Sequence, residues 1–341
     1  MIRSAGARLW LPAALVFLVA ALLAGVLVGP VHLGTVDVVR ATFAHIFGLH
    51  SPLSGADDSI LWELRLPRVV LAAIVGGTLA AAGASYQGVF RNPLADPYLL
   101  GAAAGAGLGA TLVISYAPAS ALTKDLLPLA AFAGAGIAVI AAYVLGRSAG
   151  ATAGSAALVL AGVTVTSFFT ALQTFVQQQH VDTVQEIYSW LLGRLATSGW
   201  RDVGIVLPYA VAAWAVLIAH RRLLDVLAVG DEEAAALGVN VARVRLLVVV
   251  AATIATAAAV AVAGLIGFVG IIVPHTIRLL AGGSYRLLLP LSVIVGAGFL
   301  VFADVIARTV MSPAELPIGV VTMFFGAPFF AVVLRTSRRT A

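Results

Sequence analysis

Intervals of about 20 residues without a charged side chain recur along the whole chain. They fall near 9–28, 69–89, 99–117, 126–146, 155–177, 203–219, 246–263, 264–280, 287–303 and 316–334. A helix needs roughly 20 mostly apolar residues to cross a bilayer, and a charge at its centre costs about 2.5–3.5 kcal/mol. Each interval therefore predicts a membrane-spanning helix, and residues 1–341 read as one all-α polytopic domain of ten spans. The first interval lacks a small-residue cleavage site behind it and reads as a retained helix. The seventh and eighth are the difficult pair, because Arg245 and Arg278 enclose 32 residues, long for one helix and short for two. Gly264, Gly267 and Gly270 in the middle favour a tight reversal over one straight helix.

Charge placement supports the count. Ten spans put both termini on one side, and with the N-terminus inside, thirteen of the twenty basic residues fall in cytoplasmic segments. Nine spans would move Arg335, Arg338 and Arg339 outside. Both termini are thus expected in the cytoplasm. With 61% apolar and 10% charged residues the chain lies far from soluble composition. Its net charge of +5 is scattered between apolar runs and forms no nucleic-acid-binding face. The absence of cysteine excludes disulfides and thiolate metal sites. Gly101, Gly105 and Gly109 form overlapping G-x-x-x-G spacings, which predict close helix packing within the chain rather than a dimer seam. RLPRVVLAAIVGGTLAAAG, in the second span, faintly resembles RVRLLVVVAATIATAAAVAVAG, in the seventh, as two related halves of a transporter would.

What is missing narrows the function. The only lysine, Lys124, lies in ALTKDL, so no G-x-x-x-x-G-K-[ST] phosphate loop exists and the chain has no ATPase site of its own. Coupled carriers place a carboxylate inside the membrane. Here all fifteen acids lie at span ends or in loops, with Asp304 nearest a helix interior. An ion- or proton-coupled secondary transporter or exporter remains the alternative reading, resting on Asp304. None of the six histidines has metal-ligand or triad spacing, so no metal site, resident cofactor or catalytic residue is expected; His180, in an outer loop, is the one weighed as a haem contact. A many-span protein without an engine must borrow one.

Three polar segments carry the candidate chemistry. In GVFRNPLADPYLLG, Pro93 and Pro97 stop helices while Asn92 and Asp96 can cap the turns that come after them, giving a cytoplasmic turn between spans two and three. In RRLLDVLAVGDEEAAALGVNVARVR, two short helices are expected over about 223–242: Gly230 ends the first, Asp231 caps the second with Glu232 and Glu233 in its first turn, and Gly238 closes it. Ala236, Leu237 and Gly238 offer that second helix an apolar contact for a partner's groove. The third segment is LRLPR, whose Arg65 and Arg68 join Arg308 on the outer side. Three outer arginines run against the positive-inside bias, and an external partner bearing carboxylates would account for them.

RNPLADPYLLG, GDEEAAALGV, GLIGFVGIIVPHTIRLL and ADVIAR followed by ELPIGVVTMFFGAPFF, in order from about Leu64 to Leu334, resemble the FecCD family of permeases. These are the membrane subunits of binding-protein-dependent ABC importers for ferric siderophores, haem and cobalamin. The resemblance implies ten helices per subunit, a homodimer in a bacterial or archaeal cytoplasmic membrane, two cytoplasmic ABC ATPase subunits that bind the ATP and magnesium, and an extracytoplasmic binding protein. It implies that Gly230, Asp231, Glu232, Ala236, Leu237 and Gly238 couple to the ATPase and that Arg65, Arg68 and Arg308 dock the binding protein. Spans five and ten would line the pathway near Leu158–Phe175 and Ile318–Phe330. The implied cargo is a metal chelate, a ferric siderophore or cobalamin ahead of haem, with an oxyanion such as molybdate also open.

Overall fold

In a computed structural model the described residues are 3–31, 33–117, 121–148, 154–196 and 199–337. They are helical, with no strand among them. The helices in chain order are α1 Arg3–Leu27, α2 Thr35–Phe47, α3 Gly55–Ser59, α4 Leu66–Phe90, α5 Ala102–Tyr116, α6 Ala121–Ser148, α7 Gly154–Gln179, α8 Val184–Leu191, α9 Trp200–Ala219, α10 Arg221–Leu227, α11 Asp231–Ala236, α12 Val241–Ala263, α13 Val269–Ala281, α14 Tyr285–Thr309 and α15 Ile318–Ser337. A π-helical turn, Ile60–Arg65, joins α3 to α4.

Each apolar interval overlaps one helix, and the difficult pair separates at Gly264–Phe268. Seven helical stretches are long and apolar enough to cross a membrane, in α1, α4, α6, α7, α9, α12 and α14. α5, α13 and the segment Ile318–Ala331 of α15 are apolar but shorter. At 1.5 Å per residue the 15 residues of α5 rise only about 22 Å. Non-helical backbone in front of a short helix is tolerated at depth only when protein covers it. The lead-ins meet that condition: Leu100 and Gly101 before α5 and Ile266 before α13 are buried, and the Tyr98 hydroxyl both donates to Ile266 O (3.1 Å) and accepts from Ile266 N (3.2 Å).

α4 is the centre of the bundle, packed by α14, α12, α13 and α9, while α5, α6 and α7 form a second group joined to it through α12. The two stretches with similar sequence, α4 and α12, are the most buried of the apolar helices, 89% and 72% of the spanning window. The G-x-x-x-G spacing acts within the chain. A Cβ on Gly105 would sit 2.1 Å from Gly134 O of α6, and one on Gly109 would sit 2.2 Å from Ala130 O, so both positions seat α5 on α6. Gly101 lies before that face, in the left-handed turn ahead of α5 (φ +84°).

The bundle has two ends that carry short helices. One carries α10 and α11 with the C-termini of α4 and α13 and the N-termini of α12 and α14. The opposite end carries α2, α3, α8, the C-termini of α1 and α14 and the N-terminus of α15.

Candidate coupling and docking sites

At the first end, α10 and α11 form an elbow held by one carboxylate each. Asp225 of α10 accepts from Tyr285 N (2.6 Å) and Ser284 Oγ (2.9 Å), capping the start of α14. Asp231, the first residue of α11, accepts from Arg91 Nη2 just beyond α4 (2.7 Å) and from Arg245 Nη2 in α12 (3.0 and 3.1 Å). This corrects the expectation that Asp231 caps its own helix. The N-cap position is Gly230, without a side-chain cap bond, and the Asp231 carboxylate is committed to two other elements. Glu232 and Glu233 remain in the first turn, where the amide dipoles favour negative charge.

The elbow closes as the glycine pattern predicts. Gly238, at φ +80°, donates to Ala235 O (2.9 Å) and Val239 N donates to Ala234 O (3.0 Å), the paired bonds of a helix stopped by a left-handed residue. Ala234, Leu224 and Leu227 are buried against the bundle, whereas Ala235, Ala236, Leu237 and Gly238 face outward. Leu237 is 72% exposed and Val229 70%, so the elbow offers a small apolar prominence flanked by acids.

The turn after α4 lies beside this elbow. Asn92 Oδ1 accepts from Leu94 N (3.0 Å) and Asp96 Oδ1 from Tyr98 N (2.7 Å), so each caps a turn two residues on, with Pro93 and Pro97 at the next position. Burial pushes the Asp96 carboxyl up to about 6 from 3.8, against the Tyr98 amide, which holds it down. A raised acid destabilises the fold once pH exceeds its unfolded value, with the full cost reached above its folded value. Asp96→Asn keeps the acceptor and removes the charge. We expect it to melt higher than the parent in detergent at pH 7.5, by at most about 3 kcal/mol of stability, with the gap level down to about pH 6 and smaller at pH 5. An equal gap at both pH values refutes the assignment.

The three outer arginines lie together at the opposite end, and two of them are buried. Arg65 and Arg308 are 4% and 2% exposed. Arg65 donates to Val26 O (3.1 Å) and Val31 O (2.8 Å), and Arg308 donates to Gly25 O (2.7 Å). They satisfy carbonyls in and beyond the last turn of α1, the negative end of its dipole. The structure thus supplies an internal partner for two cations that the sequence reading assigns to an external one. Arg68 differs: Nε and Nη2 meet Asp304 (2.9 and 2.8 Å), and Nη1 meets Glu315 (2.9 Å). Asp304 is fully buried between Arg68 and Arg308, whose Nε lies 3.4 Å away. No group of three or more histidine or acidic residues suited to a metal ion occurs among the described residues, and His180 packs edge-on against Tyr116.

Sequence reasoning missed Asp225, Arg91 and Arg245 as tethers, and Glu315. Their partners lie 14 to 247 residues away, and local pattern carries no such pairing. Arg245 sits one helical turn above Val241 at the start of a span, where a basic residue ordinarily reads as a topology marker.

A helical bundle of this hydropathy with a tethered elbow at one end is a multi-pass membrane protein. The chain belongs to the FecCD transport family, whose pattern it matches over residues 16–336. It is 39% identical over 328 residues to the uncharacterized ABC transporter permease protein YvrB of Bacillus subtilis, covering 95% of this chain and 92% of that one. It is 40% identical over 306 residues to the cobalamin import system permease protein BtuC of Halobacterium salinarum, covering 90% and 81%. A solved structure described as an inward-facing conformation of a metal-chelate type ABC transporter superposes with TM-score 0.81 at 29% identity, covering 96% of this chain and 99% of the other. The family is one of transport subunits.

Proposed function

We propose that this chain is the permease subunit of an ABC importer that brings a metal chelate into the cytoplasm. It works as a single ten-span domain in a homodimer, with two ATPase subunits on the α11 side and a binding protein on the opposite side. The observation that carries this reading is the elbow. It is exposed, apolar at Leu237 and Val229, and tied by Asp225 and Asp231 to α14, α4 and α12, in a chain with no phosphate loop. Movement imposed on the elbow by a closing ATPase dimer is thereby delivered to the centre of the bundle, and alternating access results from a rigid-body change of packed helices. ATP and magnesium belong to the ATPase. Both termini lie in the cytoplasm of a bacterial or archaeal cell.

In the dimer α7 and α15 line the pathway. In this chain Leu160, Val163, Phe168 and Phe175 of α7 and Met323, Phe324 and Phe325 of α15 are exposed, an apolar wall that holds cargo weakly. The likeness to a cobalamin import permease and to a metal-chelate type transporter supports a metal chelate as cargo, and a ferric siderophore or cobalamin is our reading ahead of haem. Asp304, the residue on which a proton-coupled reading rests, is held between two guanidiniums and is not a free carrier group.

The test is reconstitution with the ATPase and the binding protein in vesicles. We expect accumulation of cyanocobalamin or a ferric siderophore to require ATP and both partners. Accumulation that tracks a proton gradient without the ATPase overturns the proposal. In the same vesicles Arg68→Glu, which sets three acids together, should lower the ratio of binding-protein-stimulated to basal ATPase at least about tenfold. An unchanged ratio removes Arg68 from the docking site.

A further inference from the structure

Arg65 and Arg308 turn inward, whereas Arg68, 11% exposed at the side chain, faces a cleft at the α8 end. Arg68 borders a cleft of about 230 Å³ whose other walls include Ser189, Arg194, Glu315 and Leu316. Arg194 is partly buried, and among the described residues its guanidinium has neither an ion pair nor a hydrogen bond. Glu315 occupies the outer side of Arg68 at 2.9 Å and is itself 31% exposed at the side chain. The cleft therefore holds one unused cation and one cation already occupied by a carboxylate of the same chain.

Resting on the importer reading, we infer that this cleft receives a carboxylate side chain of the binding protein, that Arg194 is its free cation, and that Glu315 is a resident placeholder which the incoming carboxylate displaces from Arg68. A carboxylate entering the cleft is drawn to Arg194, repelled by Glu315, and gains Arg68 only as Glu315 leaves. Asp304 holds Arg68 from the other side, through Nε and Nη2, so the guanidinium keeps its orientation during the exchange.

The placeholder also reports occupancy to the pathway. Glu315 lies in the short segment that runs into α15: Leu316 N donates to Ala307 O (2.9 Å), and Gly319 N, in the first turn of α15, donates to Leu192 O beyond α8 (3.0 Å). The two sides of the cleft are thus the end of α8 and the start of α15. Freeing Glu315 loosens the link between Arg68 and the residues that lead into α15, the helix whose exposed face forms the pathway wall.

The experiment measures the affinity of the cargo-free binding protein for the permease–ATPase complex in nanodiscs, for the parent, Arg194→Glu, Arg194→Gln and Glu315→Gln. Removing the competing charge with Glu315→Gln should tighten binding by about two- to fivefold, the range of one partly exposed pair. Arg194→Glu should weaken it by about tenfold, with Arg194→Gln between that variant and the parent. The tightening is the distinctive result, since a residue that merely braces the fold would weaken binding when changed. Affinity unchanged or weakened in Glu315→Gln overturns the placeholder, and parental affinity in both Arg194 variants overturns the cleft. If the parent complex itself does not bind the binding protein, the importer reading fails and this inference falls with it.

Discussion

Leu237→Asp is expected to separate the permease from its ATPase. Leu237 is 72% exposed, at the tip of α11, so the fold gains little from it and loses little when it is changed. In the proposed complex this side chain would enter a groove, and a residue that acts as an interface hot spot carries about 2 kcal/mol or more, on the order of thirtyfold or greater in affinity. An aspartate there forfeits the apolar contact and brings an unpaired charge into a desolvated site beside Glu232 and Glu233. We expect co-purification of the ATPase to fall by about a hundredfold while the permease's melting temperature stays within a degree or two of the parent. Val229→Asp, at the other exposed apolar position of the elbow, should act in the same direction. Undiminished co-purification of Leu237→Asp would remove the elbow from the coupling role.

The elbow also shows which parts of the molecule are legible in sequence. Apolar intervals place the helices to within about six residues, because crossing a membrane imposes a length and a charge rule that every residue reports locally. The reversal at Gly264–Phe268 and the stop at Gly238 are legible for the same reason, since each is a backbone demand met by a nearby glycine. The charged groups are not. A basic residue at a span end reads equally well as a topology marker, a helix C-cap or a partner contact, and only the fold separates them. Arg65 and Arg308 are caps for α1, a helix 38 or more residues earlier in the chain. Asp231 reads as an N-cap because it comes after a glycine and precedes alanines, yet the pairing that occupies it comes from Arg91 and Arg245. The functional use of these residues depends on long-range contacts that single-sequence pattern does not encode.

Asp231 is where those contacts carry the largest mechanical consequence. Its two ion pairs are partly exposed, with side-chain exposures between 23% and 43%, so each contributes only about 0–1 kcal/mol to the resting fold. Their importance lies in connection: α11 reaches α4 through Arg91 and α12 through Arg245, and α4 and α12 are the most buried apolar helices of the bundle. A coupling free energy of about 1–3 kcal/mol between sites corresponds to about 5- to 150-fold in the linked process. Asp231→Arg faces two arginines and should lower the amount of cargo moved per ATP hydrolysed at least about fivefold, while Leu237 continues to hold the ATPase. Asp231→Arg combined with Arg91→Asp and Arg245→Asp restores both pairs with opposite polarity and should recover much of that ratio. Loss of ATPase binding in Asp231→Arg would make Asp231 a docking residue instead, and an unaltered transport-to-hydrolysis ratio would show that force travels through Asp225 and α14 alone.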